Sequence, residues 1–511
     1  MLDLLSSDKG EKTGYPIVLS TDRTLASDYN GSEFIGFGAT FPKILPDFLY
    51  SSLFAPPLPH LDGEMKYGHC GSRKIEAALL NNGFSEEDVI VGHPDHLDKL
   101  IGPKTKALGI TTHDPLGLGP ASTTFSSFVH GEPYSSHYFK KLVNNKYVKK
   151  YNVDIIVGGP GTWQLNDNRI MRLHNVDSIV IGEGEKVAPD LFRKAVNGDK
   201  LPKMVRGEVV DIEDIPKIKK PTINGLVEIS RGCGRGCDFC NPTLLNLRHR
   251  PISDILEEVK LNVEAGMDKT ILHAEDVLRY GSQNLRPEPE KLMKLLNSLK
   301  QHTDKIVFSH FALASVASDP EMIKDVSQLL GIGNDKLPWF SAQTGLETGS
   351  PKLAEKHLKG KSRPFKSEEW PSVVRQAFEI LDENDWIPCV TVIMGLPGET
   401  GDDVMKTIEL IDDLYDKDFF IVPLMFVPLG LSEDKEFFTR EDMKPEHWQL
   451  LAKCIEKDFE MTPKLIDDVS NMQDISIFKK YGFHMLRRYM KRRLMPYVRE
   501  MKEGHDPVRP A

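Results

Sequence analysis

Cysteine is scarce in this chain: six in 511 residues, namely Cys70, Cys233, Cys237, Cys240, Cys389 and Cys454. Three of them stand singly and far apart, which excludes a disulfide framework and leads us to expect a reducing, cytoplasmic location. No second C-x2-C accompanies Cys237 and Cys240, so the paired pattern of a regular zinc site is missing. A D-x-H-x-x-G sequence is also missing. Positive charge is in deficit, with 65 Lys and Arg against 75 Asp and Glu and a net charge of −10. A generally basic nucleic-acid surface is therefore not expected. Long hydrophobic runs are absent too. The most apolar late stretch, Phe419 to Leu431, is too short to span a membrane and contains Pro423 and Pro428. Met1 to Lys9 shows no basic segment followed by an apolar one, so no secretory leader is expected.

The remaining composition is that of a globular protein, with 40% hydrophobic and 27% charged residues, and the length suffices for two or three cores. Residues 1–60 are rich in Gly, Pro and aromatics such as Phe34, Phe37, Phe41 and Tyr50, and read as an irregular cap. Residues 61–205 alternate between helical and β-branched segments. A helix is expected over Ser72 to Gly83, with strands at Val89 to Val91, Ala107 to Ile110, Val153 to Val157 and Ser178 to Ile181. Each strand ends in a loop rich in Gly, Thr or Asp, as at the carboxyl edge of a doubly wound Rossmann-like sheet. Such loops by themselves indicate only a ligand with phosphate or amide groups near the backbone. Residues 206–222 carry Lys217, Lys219, Lys220 and prolines and read as a linker.

Over 223–431 the alternation restarts. Strands are expected near 225–230, 269–273, 305–311, 339–345, 388–394 and 419–427, with helices between them, one being Lys352 to Leu358. Six βα units imply a partial (β/α)6 barrel of TIM type. Residues 432–511 are expected to be mainly helical, with a basic amphipathic helix over Ile477 to Met501.

After the first barrel strand comes Arg231-Gly-Cys233-Gly-Arg-Gly-Cys237-Asp-Phe239-Cys240. Thiolates spaced C-x3-C-x2-C between glycines can converge on one metal centre, and in a βα loop they stand at a catalytic mouth. The alternatives are a zinc site and three unrelated core cysteines. The spacing, with Phe239 before the last cysteine, resembles the radical S-adenosylmethionine (radical SAM) enzymes. That resemblance implies a [4Fe-4S] cluster on Cys233, Cys237 and Cys240, with its fourth iron open to SAM. It further implies that Phe239, Glu275, Asp276, Ser309, Gln343 and Glu347, all near strand ends, serve the cluster and SAM. The glycines usual before Glu275 are missing. Ile393 to Thr400 implies the adenine side of the pocket.

Set before this motif, the loops at 111–124, 158–163 and 182–185 resemble the cobalamin-binding Rossmann domain of B12-dependent radical SAM enzymes. The resemblance assigns cobalamin contacts to Thr111, Thr112, His113, Asp114, Leu116, Gly117 and Ser122. It assigns others to Gly158, Gly159, Thr162, Trp163, Gly182 and Glu183. The missing D-x-H-x-x-G implies either a cobalt without a histidine lower ligand or a domain that has lost the cofactor. The implied activity is transfer of a methyl group from methylcobalamin to an unactivated sp3 carbon, with SAM supplying both methyl group and radical. No catalytic side chain is singled out.

Thr21 to Gly31 and Gly109 to Pro120 look like radical SAM proteins of methanogenic archaea. This implies a protein or peptide substrate, a glutamine of the methyl-coenzyme M reductase alpha chain, and a reductant such as a ferredoxin or flavodoxin. The competing readings are a carbon–carbon coupling or lipid-modifying radical enzyme, a methylthiotransferase, disfavoured by the lack of a second cysteine triad, and a non-catalytic corrinoid or metal-binding module.

Overall fold

A computed structural model describes residues 13–31, 36–240, 246–472 and 476–507. The amino-terminal stretch read for a leader, Phe34, and Asn241 and Pro242 after the cysteine motif lie outside the described residues. The chain forms two compact units, residues 1–226 with 257–267, and residues 227–256 with 268–511. Among the described residues no helix is long and apolar enough to cross a membrane.

The first unit is built on a six-stranded sheet. Its strands are β1 (Ile17–Thr21), β2 (Val89–Val91), β3 (Ala107–Thr111), β4 (Asp154–Gly158), β5 (Ser178–Ile181) and β6 (Met204–Arg206). They lie in the order β2-β1-β3-β4-β5-β6, each neighbouring pair parallel. Near-continuous apolar runs suit strands covered on both faces. Along β1, Val18 enters one core cluster with Leu108, Phe139 and Ile155, while Ile17 and Leu19 enter the other with Val91, Leu79 and Phe192. The period of two therefore feeds two cores.

Two boundaries differ from expectation. The segment read as an irregular cap contributes β1, which lies between β2 and β3. Its apolar run, Ile17-Val-Leu, is too short to declare itself and is fixed by pairing with Val89 and Ala107. The stretch read as a linker is packed rather than free, since Val210, Ile215 and Ile218 are buried. Lys74 donates to Pro216 O at 2.8 Å and to Glu258 Oε1 at 2.6 Å, and Glu258 also accepts from Ile218 N. Lys74 and Glu258 are both buried, so their charges are paired where water does not reach them.

The second unit carries β7 (Leu226–Glu228), β8 (Lys269–His273), β9 (Lys305–Phe308), β10 (Gln343–Glu347), β11 (Cys389–Met394) and β12 (Phe420–Met425). They form two three-stranded sheets, β9-β8-β7 and β10-β11-β12, joined by a parallel bridge between His310 and Gln343. The expected six-stranded α/β arrangement is thus present. Helix α1 (Ile252–Glu264), after β7, is shared between the two units, while helices α2 (Pro289–Lys300), α3 (Pro320–Leu330), α4 (Trp370–Asp382) and α5 (Gly401–Asp413) occupy the connections. The helix expected over Lys352 to Leu358 is instead one short turn, Pro351–Leu353, followed by a π-helical turn, Ala354–Leu358. Two long helices, Pro445–Met472 and Ile477–Lys502, follow.

Candidate active site

The cysteine loop leaves β7 through a short antiparallel ladder, Ser230–Arg231 with Arg248–His249. Gly232, Gly234 and Gly236 adopt φ of 77°, 67° and 71°, so every second residue turns into the left-handed region that side chains disfavour. Cys233 and Cys237, on this loop, are close enough to interact electrostatically. Cys237 is buried and lies within hydrogen-bonding reach of Cys240, and a proton shared between them lowers the first thiol and raises the second. Burial pushes Cys233 up, and the neighbouring Glu275 carboxylate adds to that. Among the described residues no three His, Cys, Asp or Glu groups converge as a single-ion site. Three neighbouring thiols on one loop fit a polynuclear iron–sulfur cluster, which takes its thiolates on separate irons.

Buried cations hold the loop. Arg235, between the first two cysteines, donates through Nη1 to the carbonyls of Gly360, Lys361 and Arg363 at 3.0 to 3.1 Å. Its Nη2 donates to Asp276 Oδ2 and Ser315 Oγ, both at 2.9 Å. Arg279 Nη1 donates to Cys233 O at 2.7 Å, and its Nη2 to Asn284 O at 2.6 Å. Past Cys237, the Asp238 carboxylate meets His357 Nδ1 at 2.8 Å, and His357 Nε2 meets Pro397 O at 2.9 Å. Phe239 packs with Leu353, Leu396 and Phe426.

The expected SAM residues separate into two groups. Asp276 is buried and satisfied by Arg235, Ser315 Oγ and Ala312 N, so its carboxylate positions the loop. Ser309 is engaged with Ala274 and with His273 Nδ1 at 3.2 Å, which ties β9 to β8. Glu275, half-buried and electrostatically coupled to Cys233, has no hydrogen-bond or ion-pair partner among the described residues.

Gln343 lies beside His310, whose half-buried imidazole is held down to about 4 chiefly by burial, and His310 Nδ1 has no partner among the described residues. An imidazole with so low a pKa is neutral at pH 7. Glu347 sits at a bulge with φ of 66° and is buried, its carboxylate held by Lys361 and by Thr391 Oγ1 at 3.1 Å. A side chain on Gly345 would collide with the Glu347 carboxylate and with Lys361 Nζ, so it would displace this pair. Burial alone would lower the Lys361 ammonium, but Glu347 and the Cys237 and Cys240 sulfurs raise it. Lys361, Arg235, Arg279 and His357 were not anticipated from sequence; only Arg235, enclosed in the Gly-Arg-Gly run, carried a signal.

In the first unit, the loops at the carboxyl edge bring most of the expected residues together. Thr112 N donates to Gly158 O, and Gly161 N to Thr112 O, both at 3.0 Å, which stitches the loop after β3 to that after β4. Gly159, at φ 95°, lies so near Thr112 that a Cβ would fall 2.6 Å from its carbonyl oxygen, whereas one on Gly158 would meet nothing within 4 Å. Asp114 is a staple, accepting from Gly119 N at 2.9 Å and Gln164 Nε2 at 2.6 Å, while Gln164 Oε1 accepts from Leu116 N.

Gly117 (φ 72°) packs against Pro133, and Thr111 Oγ1 meets Ser72. Thr162 donates to Gly159 O, and Trp163 is half-buried. Gly182 (φ 96°) abuts Gly207, and Glu183 accepts from Val210 N at 3.0 Å. His113 is exposed and faces the His69 ring. The hydroxyls of Thr21, Thr112 and Ser122 are fully buried without a partner. Unpaired buried hydroxyls are costly, and those of Thr21 and Thr112 at strand ends, with Ser122 in the helix Pro120–Phe128 that follows, fit a ligand that offers amides.

This geometry defines a class: an α/β chain whose second unit carries a thiol loop at its first strand and whose first unit carries a Rossmann-like edge. Residues 227–411 match the Radical SAM superfamily, so the second unit holds a radical SAM domain. An uncharacterized protein of Methanopyrus kandleri, MK0932, is 29% identical over 192 residues, 36% of this chain and 33% of the relative. The ribosomal protein uS12 methylthiotransferase RimO of Dictyoglomus thermophilum is 28% identical, covering 36% and 39%. The tRNA-2-methylthio-N(6)-dimethylallyladenosine synthase of Clostridium tetani is 26% identical, covering 50% and 54%. The chain thus spans a third to about half the length of these curated relatives. TsrM from Kitasatospora setae, a radical S-adenosylmethionine methyltransferase solved with cobalamin and a [4Fe-4S] cluster, shares the fold. Its TM-score is 0.53 over 82% of this chain and 77% of TsrM, at 12% identity.

Proposed function

We propose that the protein is a cobalamin-dependent radical SAM methyltransferase that transfers a methyl group to an unactivated sp3 carbon. The observation that carries this reading is the pairing of a clamped three-thiol loop with a sheet edge of buried, unpartnered hydroxyls at Thr21, Thr112 and Ser122. Bound in these places, the cluster with SAM supplies a carbon-centred adenosyl radical, and cobalamin supplies the methyl group.

Cys233, Cys237 and Cys240 hold the cluster, and the Arg235 and Arg279 bonds fix the loop so that its thiols need little reorganisation on loading. Glu275 receives the amino group of SAM. Neutral His310 and Gln343 offer hydrogen bonds to its polar groups. The Glu347–Lys361 pair keeps a cation beside Cys237 and Cys240, offsetting the negative charge of the thiolates. In the first unit Thr112, Ser122 and the open face of Gly158 receive the corrin amides.

The relatives named as methylthiotransferases raise a second reading. Against it, Cys389 and Cys454 are fully buried, and Cys70 belongs to the first unit, so these thiols form no second triad. A glutamine of methyl-coenzyme M reductase is the protein substrate we would assay first.

The test is anaerobic reconstitution followed by iron and cobalt analysis and incubation with SAM and dithionite. About four irons and one cobalamin per chain, with both 5′-deoxyadenosine and S-adenosylhomocysteine formed, are expected. Iron without cobalt, giving deoxyadenosine alone, would overturn the methyl-transfer reading.

A further inference from the structure

The second unit contains a cavity of about 770 Å³ that no residue assigned to SAM lines. Its floor is apolar, from half-buried Leu285, Pro364 and Phe365, and its rim carries exposed Arg286, Lys359, Arg363 and Lys366 against Glu355 and Glu368. None of the four cations forms an ion pair among the described residues. On a chain of net charge −10, this rim is an excess of two positive charges around an apolar centre. An apolar centre inside a polar rim is the anatomy of a protein interface.

Both walls are tied to the cysteine loop, one through Arg279 and the other directly. One wall includes Asn284, whose carbonyl accepts from Arg279, and the same guanidinium donates to the carbonyl of Cys233. From wall to cysteine the path is two hydrogen bonds, 2.6 and 2.7 Å long, across one planar conjugated group. The other wall includes Arg363, whose carbonyl accepts from Arg235 at 3.0 Å. A radical SAM domain needs one electron for its cluster, and a route made of bonds and short hydrogen bonds conducts an electron far better than open space.

We propose that this cavity is the docking site of a small acidic one-electron carrier of the ferredoxin class, with Arg279 linking the docked carrier to Cys233. The proposal rests on the reading of the cysteines as cluster ligands. In the transfer the carrier's cluster is oxidised by one electron and the enzyme's cluster is reduced by one; no bond forms or breaks and no proton moves. Positive rim charges steer an acidic partner, so they set the association rate and make it salt-dependent.

The experiment uses a reduced two-cluster ferredoxin as probe, with two readouts: its binding to the apo-chain by thermophoresis, and the stopped-flow rate of cluster reduction in the reconstituted protein. In Arg286→Glu/Lys366→Glu the binding and the ferredoxin-driven rate should fall by about tenfold or more at low salt. The wild-type rate should fall as salt rises, the variant's should not, and reduction by dithionite should be equal in both. Equal ferredoxin rates, a salt-insensitive wild type, or equal slowing with dithionite would overturn the proposal, the last assigning the cavity to substrate or to folding. A wild-type protein that holds no iron would instead overturn the cluster reading, and the binding measurement on the apo-chain would still decide the docking site.

Discussion

Replacing Arg235 with Met should cost the second unit about 3–5 kcal/mol, the range for removing one partner of a buried charge pair. Its guanidinium makes five hydrogen bonds and is buried along with Asp276. Met fills much of the volume but leaves three carbonyls without this donor and the Asp276 carboxylate with only its neutral donors, Ser315 Oγ and Ala312 N. Arg235→Lys keeps the charge, yet one ammonium cannot serve five acceptors spread around a planar fork, so most of the loss should remain. Four of the five tryptophans, Trp339, Trp370, Trp386 and Trp448, lie in the second unit, so fluorescence during urea unfolding of the apo-protein reports mainly on it. With a slope of about 3 kcal/mol per molar urea, the midpoint should drop by about 1–1.7 M. Adding Asp276→Asn should cost less than it does alone, because the unpaired charge is already present. A loss below about 1 kcal/mol, or strictly additive effects, would refute the claim that this pair holds the loop.

Asp22 in the first unit is buried, and burial raises its carboxyl to about 6 despite bonds from Thr24. A raised folded-state value means stability is full below about pH 4 and is lost as pH rises through 6. Two units correspond to about 3 kcal/mol, and Asp22→Asn should flatten this dependence in thermal melts between pH 4 and 7. An unchanged slope would contradict it. Glu275→Gln should retain iron while weakening SAM binding at least about tenfold, the loss of one charged hydrogen bond; unaltered SAM binding by calorimetry would remove Glu275 from the site. Ser122→Ala should leave stability within about 0.5 kcal/mol, since its hydroxyl has no protein partner, and should lower cobalamin retention. A clear loss of stability without loss of cobalamin would make the hydroxyl structural. Gly345→Ala should destabilise the second unit by displacing Glu347 from Lys361, visible as a lower melting temperature.

The sequence by itself determined what is local. The cysteine spacing and its alternating glycines lie within ten residues, so the loop could be read from the chain, as could strands whose apolar runs are bounded by turn residues. It also indicated that Glu275 stands beyond the second barrel strand, whereas Gln343, expected after the fourth, is the first residue of that strand because pairing with Cys389 fixes where it begins. Tertiary structure decided whatever depends on distant partners. Strand β1 is three apolar residues until Val89 and Ala107 pair with it from more than seventy residues away. Asp276 and Glu275 are adjacent acids with equal claims in sequence. Only the fold brings Arg235, 41 residues upstream, onto Asp276 and leaves Glu275 beside Cys233. Lys361 and the carbonyls that hold Arg235 lie about 125 residues beyond the motif and show no local pattern. The physical reason is that a buried charge must find its counter-charge wherever packing places it. Periodicity and spacing describe a chain's immediate neighbours and carry no record of that encounter.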